Sequence, residues 1–263
     1  MRKDYHMHPR VIEGYDRVER FIETAINNNF DEICITDHMP LSCSDAADRI
    51  KAGGVSEYYK KVRELADIYK DKISIKCGIE IDYHPSVVGE IEEVLSQGDF
   101  DFILGSTHIQ IFADYLLDGN HKYTEFADLA WQNTLLAAKS GYFTTISHLD
   151  MFRWAFTLPE RFPLIDDGYT EDYHRDIIEE ILDVIEEKNL YLEINPHLAW
   201  KNEKNFELVY PHMDIVKSAF TRNIKFSYGS DAHVASQVGK MYDMLREHPI
   251  YSKALSIWEN EKN

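Results

Sequence analysis

The sequence predicts an α/β fold with seven parallel β-strands, and three observations lead to this prediction. Short apolar, β-branched runs alternate with longer segments of helical periodicity, which is typical of βα units around a parallel sheet. The chain has 263 residues, close to the roughly 250 residues of a single α/β barrel. Apolar residues make up 44% of the chain, enough for one large core. We therefore expect one barrel-like domain over residues 1–263.

The seven predicted strands are distributed along the whole chain. The middle runs are almost continuously apolar, as expected of strands that are buried on both faces. The runs cover residues 3–8, 31–38, 73–83, 100–108, 143–150, 190–197 and 224–233.

The segments between these runs have apolar residues at intervals of three and four, which predicts amphipathic helices. We expect about seven of them. The strongest pattern consists of Ile177, Ile178, Ile181, Leu182 and Ile185.

The composition argues against several classes of protein. The net charge is -18, from 46 acidic and 28 basic residues, and such a surface repels nucleic acid and anionic membranes. The N-terminus has no apolar signal region, and no apolar run is long enough to span a membrane. The few cysteines (Cys34, Cys43 and Cys77) favour free thiols in a reducing compartment. We therefore expect a cytoplasmic protein.

The histidines are concentrated where the predicted strands end. Seven of the twelve lie at or just past such an end, namely His6, His8, His38, His108, His148, His197 and His233. The third run ends in Glu80 and Asp82, and Asp231 precedes His233 in the seventh. Because the carboxyl ends of parallel strands in a barrel meet at one rim, we expect these side chains to converge.

Taken singly, each residue has an ordinary explanation. His6 and His8 alternate along a strand and face the same side, but such pairs also arise by chance. Glu80 lies in an apolar run and needs a cation, either a metal or a salt-bridge partner across the barrel. His108 and His148 could be hydrogen-bonded core histidines. The shared placement of all these residues is what favours a metal site.

The ligand types indicate the chemistry. Imidazole and carboxylate groups bind Zn²⁺, Mn²⁺ and Fe²⁺ alike, so the identity of the metal stays open. Eight or nine ligands are too many for one ion, which predicts two or three divalent ions that share a bridging carboxylate. Such clusters act mostly on phosphate esters and less often on amides.

Six motifs together resemble the polymerase and histidinol phosphatase (PHP) family. In chain order they read HMH, ITDH, GIEIDY, LGSTH, ISHLD and YGSDAH, and they span nearly the whole chain. The resemblance is closest to the stand-alone histidinol-phosphatase branch. It implies a distorted seven-stranded (β/α)7 barrel with up to three divalent ions. The implied reaction is hydrolysis of L-histidinol phosphate to L-histidinol and phosphate, in histidine biosynthesis.

The resemblance also implies a ligand set. The first ion would be held by His6, His8, Glu80 and Asp231; the second by Glu80, His108 and His148; the third by His38 and His233. Many relatives have a further histidine shortly after the first pair. This sequence departs from that pattern, and Glu13 is the residue that could substitute.

For the reaction we expect a metal-bridging hydroxide to attack phosphorus in line, with Asp231 or His233 protonating the leaving group. A phosphate monoester also needs cationic partners, and Arg153 is the first candidate, followed by Arg161 and Lys201. Their alternative role is solvation of the surface. His197, after the sixth run, could contact substrate.

Other functions remain open at this point. One is a PHP phosphoesterase that acts on another small phosphomonoester or a nucleotide. Another is a catalytically inactive metal-binding module. Action on a DNA 3′ end is disfavoured by the charge of -18. A barrel deaminase is disfavoured because the fourth run ends in His108 without a lysine.

Overall fold

The computed structural model describes residues 1–12, 17–43, 50, 53–117, 119, 121–202 and 204–261. They form a sheet of seven parallel strands in sequential order, which confirms the predicted number and direction of strands. The strands are β1 (Lys3–Asp4), β2 (Glu32–Ile35), β3 (Ser74–Asp82), β4 (Phe102–Ser106), β5 (Thr145–Ile146), β6 (Tyr191–Ile194) and β7 (Lys225–Tyr228).

The sheet closes into a nearly complete barrel because the segment after β1 meets the segment after β7. Tyr5 donates its backbone N–H to the carbonyl of Tyr228 at 2.9 Å, and His8 donates to Ala232 at 2.8 Å. The Asp231 N–H donates in turn to the His6 carbonyl, also at 2.8 Å. These bonds bring the first and last motifs of the sequence side by side.

The barrel is distorted at β3, which is its longest strand. The first half of β3 pairs with β2, in register from Glu32 with Ser74 to Ile35 with Cys77. Its second half pairs with β4, starting at Gly78. The segment after β2 returns to β3 through a bridge between His38 and Glu80. A distorted barrel is therefore confirmed, and the distortion places Glu80 between two neighbouring strand ends.

Eleven α-helices surround the strands in the described part of the chain, more than the seven we expected. They are α1 (Val18–Asn27), α2 (Val55–Tyr69), α3 (Val88–Leu95), α4 (Ala113–Leu117), α5 (Tyr123–Ser140), α6 (Arg153–Phe156), α7 (Arg175–Glu187), α8 (His197–Lys201), α9 (Met213–Ala219), α10 (Tyr242–Glu247) and α11 (Tyr251–Asn260). Several extra helices, such as α4, α6 and α8, are single turns in loops at strand ends. Periodicity cannot reveal such short helices.

The predicted strands extended too far at their carboxyl ends. The first was expected over residues 3–8, whereas β1 ends at Asp4. Beyond that point the backbone follows its neighbours through single bridges and loop hydrogen bonds, such as that between Met7 and Ala232. The site residues therefore lie mostly just past the strands, on the C-terminal rim of the barrel.

The opposite end of the barrel is closed by the C-terminal helix. Trp258 of α11 is fully buried and donates its indole N–H to the carbonyl of Lys3 at 3.1 Å. The Lys3 ammonium lies 3.8 Å from the centre of the same indole ring and donates to the Glu261 carbonyl. These contacts fix the C-terminal helix against the start of β1.

Cys34, Cys43 and Cys77 form no disulfide among the described residues, and Cys34 and Cys77 are buried. Among the described residues, no helix combines the length and apolar character needed to cross a membrane.

The packing of β4 gives a test of the fold. A Cβ at Gly105 would lie 2.5 Å from the Phe143 ring. We expect Gly105→Ala to lower the free energy of unfolding by about 1–3 kcal/mol through overpacking. Gly89 in α3 is the matched control, because a Cβ there meets no atom within 4 Å and alanine favours a helix by about 1 kcal/mol. Urea unfolding of both variants measures the difference, and equal stability would contradict the packing of this layer.

Candidate metal centre

Glu80 lies at the centre of the C-terminal rim, with its carboxylate buried to 1% exposure. One oxygen, Oε2, faces the histidines of the first two strand ends. It lies 3.1 Å from His6 Nε2, 3.2 Å from His8 Nε2 and 3.0 Å from His38 Nδ1. Three imidazoles therefore meet one carboxylate oxygen.

The other oxygen of Glu80, Oε1, faces the ends of β4 and β5. It lies 2.9 Å from His148 Nε2 and 3.5 Å from His108 Nε2. Ser106 donates its hydroxyl to the same oxygen at 2.5 Å. The carboxylate thus lies between two groups of imidazoles, as a bridging ligand would.

Local backbone geometry explains how His6 and His8 converge. They alternate on an extended segment, so both side chains face the rim, while Met7 between them is fully buried. The two Nε2 atoms are 3.0 Å apart. Two ring nitrogens at this distance need either a shared proton or a common cation.

Asp231 forms the second carboxylate of the cluster. Its Oδ1 lies 3.4 Å from His8 Nε2 and 3.4 Å from His233 Nδ1. Its φ of +52° is a left-handed conformation that asparagine and aspartate adopt more readily than most residues. His197 Nδ1 lies 2.8 Å from the Asp231 carbonyl. Asp231 and its neighbours therefore extend the cluster towards β6.

Two further carboxylates support the imidazoles from behind. Glu193 Oε1 lies 2.6 Å from His6 Nδ1, and Asp82 Oδ1 lies 2.5 Å from His108 Nδ1. Such contacts fix which ring nitrogen remains available to a metal. Sequence reasoning missed Glu193, although a glutamate inside the apolar run LYLEINPH was a usable signal.

Neighbouring charges in the cluster outweigh the effect of burial on the pKa values of its residues. Burial disfavours the charged imidazolium, but Glu193, Glu80 and Asp231 outweigh it and raise the pKa of His6 well above its usual value. Asp82 and Glu80 likewise overcome burial and raise the pKa of His108 to about 10. Burial also opposes ionisation of Glu80, yet the surrounding histidines hold its pKa well below the usual range.

This donor set fits divalent cations. Several groups of three have potential ligand atoms within 4.8 Å of one another, among them His6–His8–Glu80, His38–Glu80–His108, His8–His38–His233 and His6–His148–Asp231. The buried Nδ1 atoms of His8 and His148 have no hydrogen-bond partner among the described residues. Buried carboxylates that face several imidazole nitrogens are stabilised most effectively by shared cations.

The structure thus brings together eight of the nine ligand candidates: His6, His8, His38, Glu80, His108, His148, Asp231 and His233. The ninth, Glu13, lies outside the described residues.

The guanidinium of Arg153, the first candidate for phosphate binding, already contacts other groups of the protein. Its side chain is 12% exposed, and Nε lies 2.8 Å from Asp150 Oδ2. The guanidinium also donates to the carbonyls of Glu207 and Val209 at 2.9 and 3.1 Å. These contacts join the loops that follow β5 and β6, so Arg153 has an architectural role in this structure.

The other substrate candidates lie in different surroundings. Arg161 is exposed, with its guanidinium 5.1 Å from the centre of the Phe162 ring. His197 and Lys201 line a small cavity that reaches Asp231. Burial, together with Lys201 and His233, lowers the pKa of His197 to about 4 despite the opposing charge of Asp231. The cavity is completed by Met151, Trp154, Leu198 and Tyr210.

Comparison with known proteins agrees with this geometry. The "Probable histidinol-phosphatase" of Deinococcus radiodurans is 29% identical over 257 residues, covering 93% of this chain and 91% of the relative. The "Histidinol-phosphatase" of Bacillus subtilis is 25% identical over 268 residues, with 94% and 98% covered.

A solved structure of histidinol phosphate phosphatase from Lactococcus lactis, complexed with zinc, L-histidinol and phosphate, has the same fold. Its TM-score is 0.69 at 21% identity, with 94% of this chain and 93% of that chain covered. The sequence model of the PHP domain matches residues 4–197, most of the rim. The chain therefore belongs to the PHP domain family, as the six motifs predicted.

Proposed function

We propose that this protein is a metal-dependent phosphomonoesterase that hydrolyses L-histidinol phosphate to L-histidinol and phosphate, a step of histidine biosynthesis. The observation that carries the proposal is the position of Glu80, whose two oxygens each face a separate group of imidazoles. Relatives of nearly equal length that are named histidinol-phosphatases support the choice of substrate.

We assign the ligands by their position around the two oxygens of Glu80. His6, His8 and Asp231 would hold one ion together with Oε2, and His108 and His148 would hold a second with Oε1. His38 and His233 would hold a third, near His8. Glu13 is retained as a proposed further ligand of that ion. Zinc, manganese and iron all suit these donors.

Divalent ions in such a set lower the pKa of bound water and neutralise charge on a phosphoryl group. The protein's own groups must then orient the ester and protonate the leaving alkoxide. His233 is the better proton donor of the two candidates, because its side chain is 36% exposed whereas that of Asp231 is 8% exposed. An ester that binds from the solvent side would bring its leaving oxygen closer to His233 than to Asp231.

The cavity beside the cluster is the proposed site for the rest of the substrate. Trp154, Tyr210 and Met151 give it an aromatic and apolar wall, which suits a flat ring. Lys201 is exposed at its edge and is our first candidate for a cation that contacts the phosphate. His197 is proposed to contact the substrate from the side of Asp231. Arg153 and Arg161 remain weaker candidates for phosphate binding.

The first test is phosphate release from L-histidinol phosphate and from a panel of sugar, nucleotide and aryl phosphates, with zinc or manganese supplied. We expect kcat/KM for histidinol phosphate to exceed the others by at least about 10³-fold, roughly 4 kcal/mol of transition-state discrimination. Slow, similar rates on all esters would reject histidinol phosphate but keep a phosphomonoesterase. No hydrolysis by metal-loaded protein would favour an inactive metal-binding module.

A second prediction concerns Glu80. Glu80→Gln removes the charge that faces both groups of imidazoles, so we expect bound metal and phosphatase activity to fall together, activity by more than about 100-fold. Glu187→Gln is the matched control, because Glu187 is exposed on α7. Metal analysis and initial rates measure both effects. Full metal occupancy and activity in Glu80→Gln would contradict the bridging role.

A third prediction follows from the raised pKa values of His6 and His108. Both imidazoles are in the charged, doubly protonated form near neutral pH in the metal-free protein, so a metal must displace protons when it binds. We expect apparent zinc affinity to fall as the pH is lowered from 8 to 6. We also expect the calorimetric binding enthalpy to change with the ionisation enthalpy of the buffer. An enthalpy that is independent of the buffer would contradict this.

A further inference from the structure

Glu193, in β6, contacts the cluster at two points, the ring of His6 and the backbone of His148. Its side chain is 1% exposed, and its two oxygens face different residues. Resting on the proposed metal-dependent function, we propose that Glu193 is a positioning residue that orients one ligand of each of two ions. No motif of the sequence marked it for such a role.

The first contact fixes the ring of His6. Glu193 Oε1 lies 2.6 Å from His6 Nδ1, so that nitrogen carries the proton and donates it to the carboxylate. The opposite nitrogen, Nε2, then lies 3.1 Å from Glu80 Oε2 and 3.0 Å from His8 Nε2, where it becomes available to a metal ion once its own proton is displaced. A carboxylate behind a metal-binding histidine also makes the ring a stronger ligand.

The second contact fixes the backbone of His148. Glu193 Oε2 accepts the His148 N–H at 2.7 Å. The φ of His148 is +24°, a value that a non-glycine residue adopts only when surrounding contacts hold it there. That backbone conformation places Nε2 of His148 at 2.9 Å from the other oxygen, Glu80 Oε1. Glu193 therefore acts on both sides of the bridging carboxylate.

The surroundings are shaped to hold Glu193 in this position. Asn195 Nδ2 lies 3.2 Å from Glu193 Oε2 and 3.4 Å from Asp231 Oδ2, which extends the network to another proposed ligand. A Cβ at Gly229 would lie 2.2 Å from Glu193 Oε1 and 2.3 Å from the His6 Cβ. Only glycine at position 229 leaves room for the Glu193–His6 contact.

Asp82 provides an internal comparison. It is also buried, and its Oδ1 contacts Nδ1 of His108, a proposed ligand of the second ion. Replacement of Asp82 by asparagine should therefore weaken the binding of that ion. Replacement of Glu193 by glutamine should weaken the binding of both ions. An amide has only one oxygen, so it cannot accept hydrogen bonds from His6 and from the His148 N–H with its two ends.

The test is zinc titration of metal-free wild-type, Glu193→Gln and Asp82→Asn proteins against a chromophoric chelator, with metal analysis for stoichiometry. We expect Glu193→Gln to lower the affinity for two zinc ions by about 10–100-fold each, and Asp82→Asn to lower the affinity for one. Glu193→Asp keeps the charge but is one methylene too short for both contacts. It replaces the glutamine variant if that protein does not fold, with the same expectation.

Native zinc affinity in Glu193→Gln, or loss of a single ion as in Asp82→Asn, would overturn the proposal. So would a lower melting temperature of the metal-free variant without any change in zinc affinity, since that indicates a purely structural role. The readout does not use the proposed substrate. A wild-type protein that binds zinc but does not hydrolyse histidinol phosphate would refute the proposed function and leave this test intact.

Discussion

The buried carboxylate of Glu80 is the constraint on which the rest of the rim depends. An ionised group that is 1% exposed is strongly destabilising unless cationic or hydrogen-bonding partners surround it. The fold supplies Ser106 and five imidazoles, which arrive from the ends of four different strands. Protonated imidazoles stabilise the carboxylate directly as cations, and neutral ones would do so through a shared metal ion, as proposed above.

The parallel barrel makes this convergence possible, and its distortion refines it. All seven strands end at one rim, so residues as distant in sequence as His6 and Asp231 come into contact. The end of β3 has the segment after β2 on one edge, through the His38–Glu80 bridge, and β4 on the other, so it lies between the loops that carry His38 and His108. This position between two neighbours is what lets one side chain face both groups of histidines.

Strand order and the convergence of the ligand candidates could be predicted from sequence because both depend on short-range patterns: apolar runs and the residues that end them. The supporting contacts could not. The glutamate inside the apolar run LYLEINPH is itself visible in the sequence, but its partner His6, 187 positions away, is not. Arg153 was placed on the correct rim, yet sequence could not show that the carbonyls of Glu207 and Val209 take its donors. The short helices α4, α6 and α8 were missed because one turn is too short to show periodicity.

The charges around the imidazoles also bear on the number of ions. Four buried carboxylates, those of Glu80, Asp82, Glu193 and Asp231, contact the histidines of the rim. Two divalent ions would balance these four negative charges and leave a neutral centre. A third ion would leave two positive charges, or one if the carboxylate of Glu13 also binds it, and a phosphate monoester carries the opposite charge, about -1.5 to -2 at pH 7. In a protein with a net charge of -18, such a local excess is what would draw an anionic substrate to the rim. The third position, between His8, His38 and His233, is therefore the one whose occupancy should matter most for substrate binding rather than for stability.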